Sequence, residues 1–417
     1  MTMLNRRVRA ERPWRASRRR WTMMLVASCT WTVGLAGLAP AVTADDMRSR
    51  QWYLDDMQAK AMWQVSTGSG VKVAIIDSGV NAETASLRGQ VLPGKDFAGA
   101  SGDETDDYMG HGTTMAELIA GSGKNGGLQG LAPGAKIIPF RVELSDMKAK
   151  SHNKVDRVDD AIRAAADSDA KIINMSFGGN LTTIDEYEAI KYAANKGKLL
   201  MASNGNEGGG KNEKNYPAAY PDVAGIASIA ESGEVSETST HGDYTTLSAP
   251  GTSLPRWCDS SFKSYCDGDG GTSSASAIAS ASAALIWSKH PKWTANQVLR
   301  VLIETAGRKA KSDSASKYIG YGAVRPRINL LEGKGDPGDP NHSPLYTKPT
   351  KSPSPNPSDP ADGKGKSESG AKAGDKASVA ADKEDSGNGL LWGVVGGGVA
   401  VVVVAAGAFV FLRRRRA

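Results

Sequence analysis

Histidine is scarce in this chain, with five in 417 residues, so any chemistry needing an imidazole base has few places to reside. Three of the five have no obvious chemical setting: His152 in a polar stretch, His290 before Pro291, and His342 among prolines and glycines. Cysteine is scarcer still, with three residues. Cys29 falls in an N-terminal apolar run, which leaves Cys258 and Cys266. An even pair in an oxidising compartment predicts one disulfide, and closing so short a loop contributes at most about 2–3 kcal/mol. Positive charge is also scarcer than the net +6 suggests. Removing the +7 of residues 1–20 (eight arginines against one glutamate) and the +4 of residues 413–416 leaves −5 for the remainder. A mildly acidic body carries no electrostatic footprint for nucleic acid. Hydrophobic residues, finally, almost vanish between residues 332 and 389, where Pro, Gly, Ser, Lys, Asp and Ala dominate. That stretch cannot bury a core and reads as a solvated tether.

The two ends carry addressing signals. A basic region (1–20), an apolar run from Trp21 to Pro40, and Val42 and Ala44 at −3 and −1 make residues 1–44 a secretory signal. Residues 390–412 form 23 consecutive positions without charge. As a helix they extend about 35 Å, enough to cross a hydrocarbon core with some tilt. The basic tail that follows, 413–417, belongs on the cytoplasmic side, so everything before the helix lies outside the cell membrane in a single-pass arrangement.

Residues 45–331 remain as one domain, large enough for a single core. Short apolar runs at 71–76, 136–140, 171–175, 198–202 and 223–227 predict buried strands. Helical spacing appears at 156–169 and 184–195, and Thr294 with Gln297 forms a capping box opening a further helix to about Thr305. Strand–helix alternation predicts an α/β fold with a mostly parallel sheet between layers of helices, and ligands at the carboxyl ends of its strands.

Four segments bear chemistry. His111 stands between two glycines at the head of an apolar helical stripe (HGTTMAELIAG), where a ring faces a cleft from a fixed helix start. His241, in a turn-like Thr-His-Gly, lacks that setting. Asp77 ends a buried run, Ile75-Ile76-Asp77; such a carboxylate either caps the next turn or orients an imidazole. Ser273 follows Gly270-Gly271-Thr272 and opens a helix of small residues running to about Lys289. The positive end of that helix would meet charge developing on an attacked carbonyl. Ser274 and Ser276 are weaker candidates, and Ser280 and Ser282 read as core serines. Asn206, in Asn204-Gly205-Asn206, is either part of an ordinary turn or a side-chain donor to an oxyanion.

Asp77, His111 and Ser273 occur in the chain order Asp, His, Ser, the order recorded for subtilisin, and the four segments together resemble the subtilase family over roughly residues 50–330. Gln51-Trp52-Tyr53-Leu54-Asp55, the tether and the terminal apolar helix look like its mycosin branch, the membrane-anchored proteases of type VII secretion. The resemblance implies a subtilisin-like three-layer fold. It also implies a serine endopeptidase acting on polypeptide substrates, with Ser273 as nucleophile, His111 as base, Asp77 orienting it and Asn206 on the oxyanion. It further implies a substrate strand at Ser176, Phe177, Gly178 and Gly179, association with a type VII secretion membrane complex, and no metal or other cofactor. A scaffold that stabilises that complex is the competing reading, and an esterase or amidase a third. Residues 45–65 either act as an inhibitory propeptide or wrap the domain, and their shortness favours wrapping. Subtilases usually carry methionine after the nucleophile and proline four positions beyond it; Ser274 and Ala277 stand there. Ala277 relaxes the backbone early in the helix, which leaves open whether Ser273 shifts and activity is weakened or altered, with an active protease still the reading. Met115 replaces a commoner valine, a mild packing change.

Overall fold

A computed structural model describes residues 47–144, 158–268, 270–308 and 314–346. The expected signal, most of the tether, the membrane helix and basic tail, His152 and the first two residues of the expected helix at 156–169 lie outside the described residues. Among the described residues, no helix is long and apolar enough to cross a membrane.

Seven strands form one sheet: β1 (Lys72–Asp77), β2 (Lys95–Asp96), β3 (Lys136–Arg141), β4 (Ile172–Met175), β5 (Leu199–Ser203), β6 (Ala224–Ile229) and β7 (Thr245–Pro250). Their order is β2-β3-β1-β4-β5-β6-β7, and every pairing is parallel. The expected runs match five of these to within two residues. The short edge strand β2 and β7 went unread, because β7 (TTLSAP) is fully buried yet largely polar and offers no apolar run. An antiparallel hairpin, β8 (Leu254–Trp257) with β9 (Tyr265–Gly268), occupies what reads in sequence as a Gly/Ser-rich loop, and the Cys258–Cys266 disulfide closes it.

Both faces of the sheet are covered, which is why its strands are continuously apolar rather than alternating. Successive residues of β1 serve opposite cores. Val73 and Ile75 join the cluster holding α3 (His111–Ala120) and α6 (Thr272–Lys289), preceded in the chain by the short α1 (Trp52–Asp56) and α2 (Ala59–Met62). Ala74 and Ile76 pack with α4 (Val158–Asp167) and α5 (Ile184–Asn195) on the other face. Helix α6 runs through the first core buried almost all round, and its alanines and serines let neighbours approach closely. Two further helices, α7 (Ala295–Glu304) and α8 (Pro326–Glu332), pack against that core, and α7 opens with the Thr294–Gln297 capping box.

Residues 47–62 are built into the domain. Gln51 and Tyr53 are fully buried. The Gln51 carboxamide exchanges two hydrogen bonds of 2.8 Å with the main chain of Gln129, and Trp52 Nε1 donates to Thr252 O at 3.0 Å. Ordered chain also continues beyond α8, where the sequence predicts the tether to begin. Residues 333–346 lie along α7, held by Arg300 to the carbonyls of Pro337 and His342 and by Asn296 to Pro340 O. Leu345 packs on the core, and Tyr346 OH donates to Asp222 at 2.5 Å. Backbone hydrogen bonding, which composition does not register, holds this polar strap.

Candidate active site

The carboxyl ends of β1, β4 and β5 converge on the starts of α3 and α6, as expected for an open α/β sheet. Asp77, the last residue of β1, is 1% exposed. Its Oδ1 accepts from Ser78 N at 2.7 Å and stands 2.8 Å from His111 Nδ1, while Oδ2 is buried without a partner. With Nδ1 donating to the carboxylate, the His111 lone pair is on Nε2. Gly112 permits this close approach of α3 to the end of β1, because a Cβ there would lie 2.1 Å from Gly79 O and 3.1 Å from Asp77 Oδ1. The His111 side chain keeps 30% of its surface exposed. Burial opposes its charged form, but the Asp77 carboxylate, aided by Asp107, outweighs burial and holds the His111 pKa above its ordinary 6.5.

Asp107 has no counterpart among the residues singled out from sequence. It is 3% exposed and supplies the cap that Gly110 lacks. Oδ1 accepts from Met109 N (3.0 Å) and Gly110 N (2.9 Å), and Oδ2 from Thr113 N (2.8 Å) and Thr113 Oγ1 (2.7 Å). Ser78 Oγ lies between Asp107 (2.8 Å) and Asp77 (3.2 Å) and accepts from Gly112 N. The start of the histidine helix is thereby tied to the end of β1. An acidic residue a few positions before a Gly-His helix start is the signal that could have revealed it.

Ser273 sits one residue into α6. Its Oγ donates to Ser176 O at 2.9 Å, and Ser176 Oγ donates back to Ser273 O at 3.0 Å. Among the described residues no hydrogen bond joins Ser273 to His111, so the resting hydroxyl must leave Ser176 before an imidazole can take its proton. Helix α6 is unbroken from Thr272, and Ala277 is fully buried. Polar contacts hold the helix in register: Ser276 and Ser280 each donate to Asn174 Oδ1 at 3.0 Å, and Asn174 Nδ2 donates to Ser176 Oγ at 2.9 Å. Asn174, Ser276 and Ser280 are all fully buried. Ser276, a weaker nucleophile candidate in sequence, is thus committed to this contact.

Asn206 follows β5 in an exposed loop. Its Oδ1 accepts from Thr272 N (3.0 Å) and Thr272 Oγ1 (3.1 Å), and Thr272 Oγ1 accepts from Gly205 N (3.0 Å). The carboxamide oxygen is thus turned toward α6, and Nδ2 remains the donor open to a ligand. Thr240 clasps the same loop: its N–H donates to Gly205 O, and its Oγ1 accepts from Glu207 N, both at 2.9 Å.

Of the four positions expected to line a substrate strand, Gly179 is already paired. It exchanges hydrogen bonds of 3.0 and 2.8 Å with Tyr216. Ser176 is buried, with its carbonyl taken by Ser273, and the Phe177 carbonyl accepts from Ser203 Oγ at 3.4 Å. Gly178, exposed and without a main-chain partner among the described residues, offers both groups to an added strand. The Asn215 side chain, unread in the sequence, fills the space between Gly178 and Gly205 and donates to Ser203 O at 3.2 Å.

A profile of the subtilase family matches residues 68–322. Thermitase of Thermoactinomyces vulgaris is 36% identical over 205 residues, covering 49% of this chain and 71% of its own. Among solved structures, the MycP3 protease of the type VII (ESX-3) secretion system aligns at 27% identity with a TM-score of 0.58, covering 70% of this chain and 90% of that one. MycP1, a serine protease described as an essential component of the type VII (ESX-1) secretion system, aligns at 26% identity and 0.58 over the same shares.

Proposed function

From the premise that the chain belongs to the subtilase family of serine endopeptidases, we propose that Asp77, His111 and Ser273 cleave peptide bonds through an acyl-enzyme. The observation that carries this reading is the 2.8 Å contact of His111 Nδ1 with the buried Asp77 carboxylate, since it leaves Nε2 as the proton acceptor. Ser273 Oγ attacks the carbonyl carbon as His111 takes its proton. Asn206 Nδ2 and the Ser273 N–H at the start of α6 receive the oxyanion. His111 then returns the proton to the leaving amine, and a water repeats the sequence on the ester. Gly178 pairs with the extended substrate beside the scissile bond. A fluorophosphonate probe tests the reading: the full-length protein labels, and Ser273→Ala abolishes labelling. Labelling that survives this substitution, or none in the folded protein, refutes it.

The finer assignment is a protease held outside the cell membrane by residues 390–412, exported by residues 1–44 and acting on proteins passed by a type VII secretion complex. The basic tail at 413–416, the disulfide and the likeness to MycP3 and MycP1 support it. Accessibility of the domain to protease added outside intact cells, lost when residues 390–412 are deleted and the domain is released, is the expected topology result. The competing scaffold role predicts that Ser273→Ala leaves secretion intact, whereas deletion of residues 390–412 abolishes it.

A further inference from the structure

Glu117 is a buried acid that the triad does not use. It lies six positions after His111 on α3 and is fully buried. Thr84 Oγ1 donates to its Oε1 and Tyr265 OH to its Oε2, each at 2.7 Å. Tyr265 belongs to β9 beside Cys266, and its ring stacks on Trp257 of β8 at 3.8 Å between centroids. The indole N–H of Trp257 is buried with no hydrogen bond of its own and faces the same carboxyl. Two further contacts press the hairpin onto the histidine helix. Trp257 N donates to Thr114 Oγ1 at 3.1 Å, and Trp257 Cβ and Asp259 O lie 3.0 Å from where a Cβ on Gly110 would stand. Arg256 of β8 is near enough to His111 to oppose its protonation.

Among the described residues no charge compensates Glu117. On the 83–88 segment, Arg88 and Glu83 are exposed and pair with each other. On the hairpin, Asp267 pairs with Arg50, Arg256 acts on His111, and Asp259 accepts from Ser261 N. The 121–131 turn brings Lys124, exposed, and neutral Gln129. In α6 the charged residue is Lys289, at the far end, bonded to the carbonyls of Asn329 and Leu330. On β1, Asp77 is engaged by His111.

We propose that Glu117 is a positioning residue that clamps the disulfide-closed hairpin onto the histidine helix, and that loss of its proton loosens this clamp and limits activity on the alkaline side. Burial is the largest influence on the group and raises its pKa to about 7, against the hydroxyl donors Thr84 and Tyr265 and the facing indole N–H of Trp257, which favour the ionised form. Below that pH the hydroxyls and the protonated acid share hydrogen bonds in a closed pocket. Above it the carboxylate gains from hydration, which the pocket admits only if the hairpin lifts. Lifting moves Arg256 and the cover over Gly110, next to His111.

The activity arm of the test rests on the triad reading; the exchange arm does not. In the full-length protein, kcat/KM on an unstructured polypeptide is measured from about pH 5.5 to about 9 for wild type and Glu117→Gln, expecting wild type to fall several-fold above neutrality and the variant to stay level there. Tyr265→Phe, which removes a donor that favours the carboxylate, moves the fall to higher pH. Hydrogen exchange of residues 254–268, corrected for its intrinsic pH dependence, accelerates about tenfold more than that of α7 across the same range in wild type, and not in Glu117→Gln. Profiles of the same shape in both proteins, with the variant lower throughout, assign Glu117 a purely structural role and overturn the proposal. If Glu117→Gln does not fold, wild-type exchange decides alone: hairpin protection that is level with pH overturns the proposal, and selective loss there supports it.

Discussion

Removing the Asn174 side chain isolates what holds the helix carrying Ser273 in register. Asn174→Ala deletes three buried hydrogen bonds: to Ser176 Oγ, from Ser276 Oγ and from Ser280 Oγ. At about 1 kcal/mol each they amount to about 3 kcal/mol, and leaving polar groups unsatisfied adds to that. The serines recover part of the loss by turning to carbonyls four residues earlier, as Ser282 already does to Ile278 O at 2.8 Å. A net destabilisation of about 2–4 kcal/mol, or roughly 5–10 °C in Tm, is expected for a domain of this size. Activity should fall more selectively. The Ser176 hydroxyl, no longer oriented by Asn174, stops bracing Ser273 O, and a small displacement of Ser273 lowers kcat by about 10- to 100-fold. Gly178 lies outside this network, so KM changes little. Calorimetry and steady-state kinetics on Asn174→Ala, Ser276→Ala/Ser280→Ala and their combination measure the coupling, expected at about 1–2 kcal/mol. Strictly additive stabilities, or an unchanged kcat in a stable Asn174→Ala protein, would refute the idea that these polar contacts hold the helix start.

Two further outcomes follow from the site. Thr272→Val removes the hydroxyl that links Gly205 N to Asn206 Oδ1 and leaves only Thr272 N to orient the carboxamide; kcat should drop by up to about tenfold at little-changed KM, with Thr272→Ser restoring most of it. His111 must be neutral to act as base, and its pKa is held up against burial by Asp77. The acidic limb of kcat/KM should therefore lie above pH 6.5, the ordinary value for the group, and Asp77→Asn should shift it downward while lowering the plateau. The same raised pKa makes protonated His111 stabilising. That contribution is complete below pH 6.5 and is lost as pH rises through the folded-state value.

Much of the fold was legible in the sequence because buried parallel strands must be continuously apolar, and β1, β3, β4, β5 and β6 are. The helices at 184–195 and 295–304 announced themselves by spacing and caps. Strand β7 and the β8–β9 hairpin did not, since their polar residues become acceptable only once neighbours satisfy them. The strap at 333–346 is likewise fixed by Arg300 and Asn296, some forty residues earlier in the chain.

At the candidate site, local sequence marked Asp77, His111, Ser273 and Asn206, because each needs glycines or a strand end immediately beside it. What local sequence left open is which groups brace them. Asp107, Asn174, Thr240 and Asn215 look like ordinary polar residues until the sheet order brings β1, β4 and β5 side by side. Ala277 shows the difference most sharply. Read along the chain it leaves the start of α6 less restrained than a proline would, and only the fold shows that Asn174, on a strand about a hundred residues away, bonds Ser276 and Ser280 on either side of it. Sequence alone determined the hydrophobic layers, the chain order of the reactive groups and the glycines that admit them, since these depend on neighbours along the chain. Tertiary structure alone decided the hydrogen-bond partners of Asn174, Glu117 and Asp107, because a buried polar group is satisfied by whatever the topology places beside it.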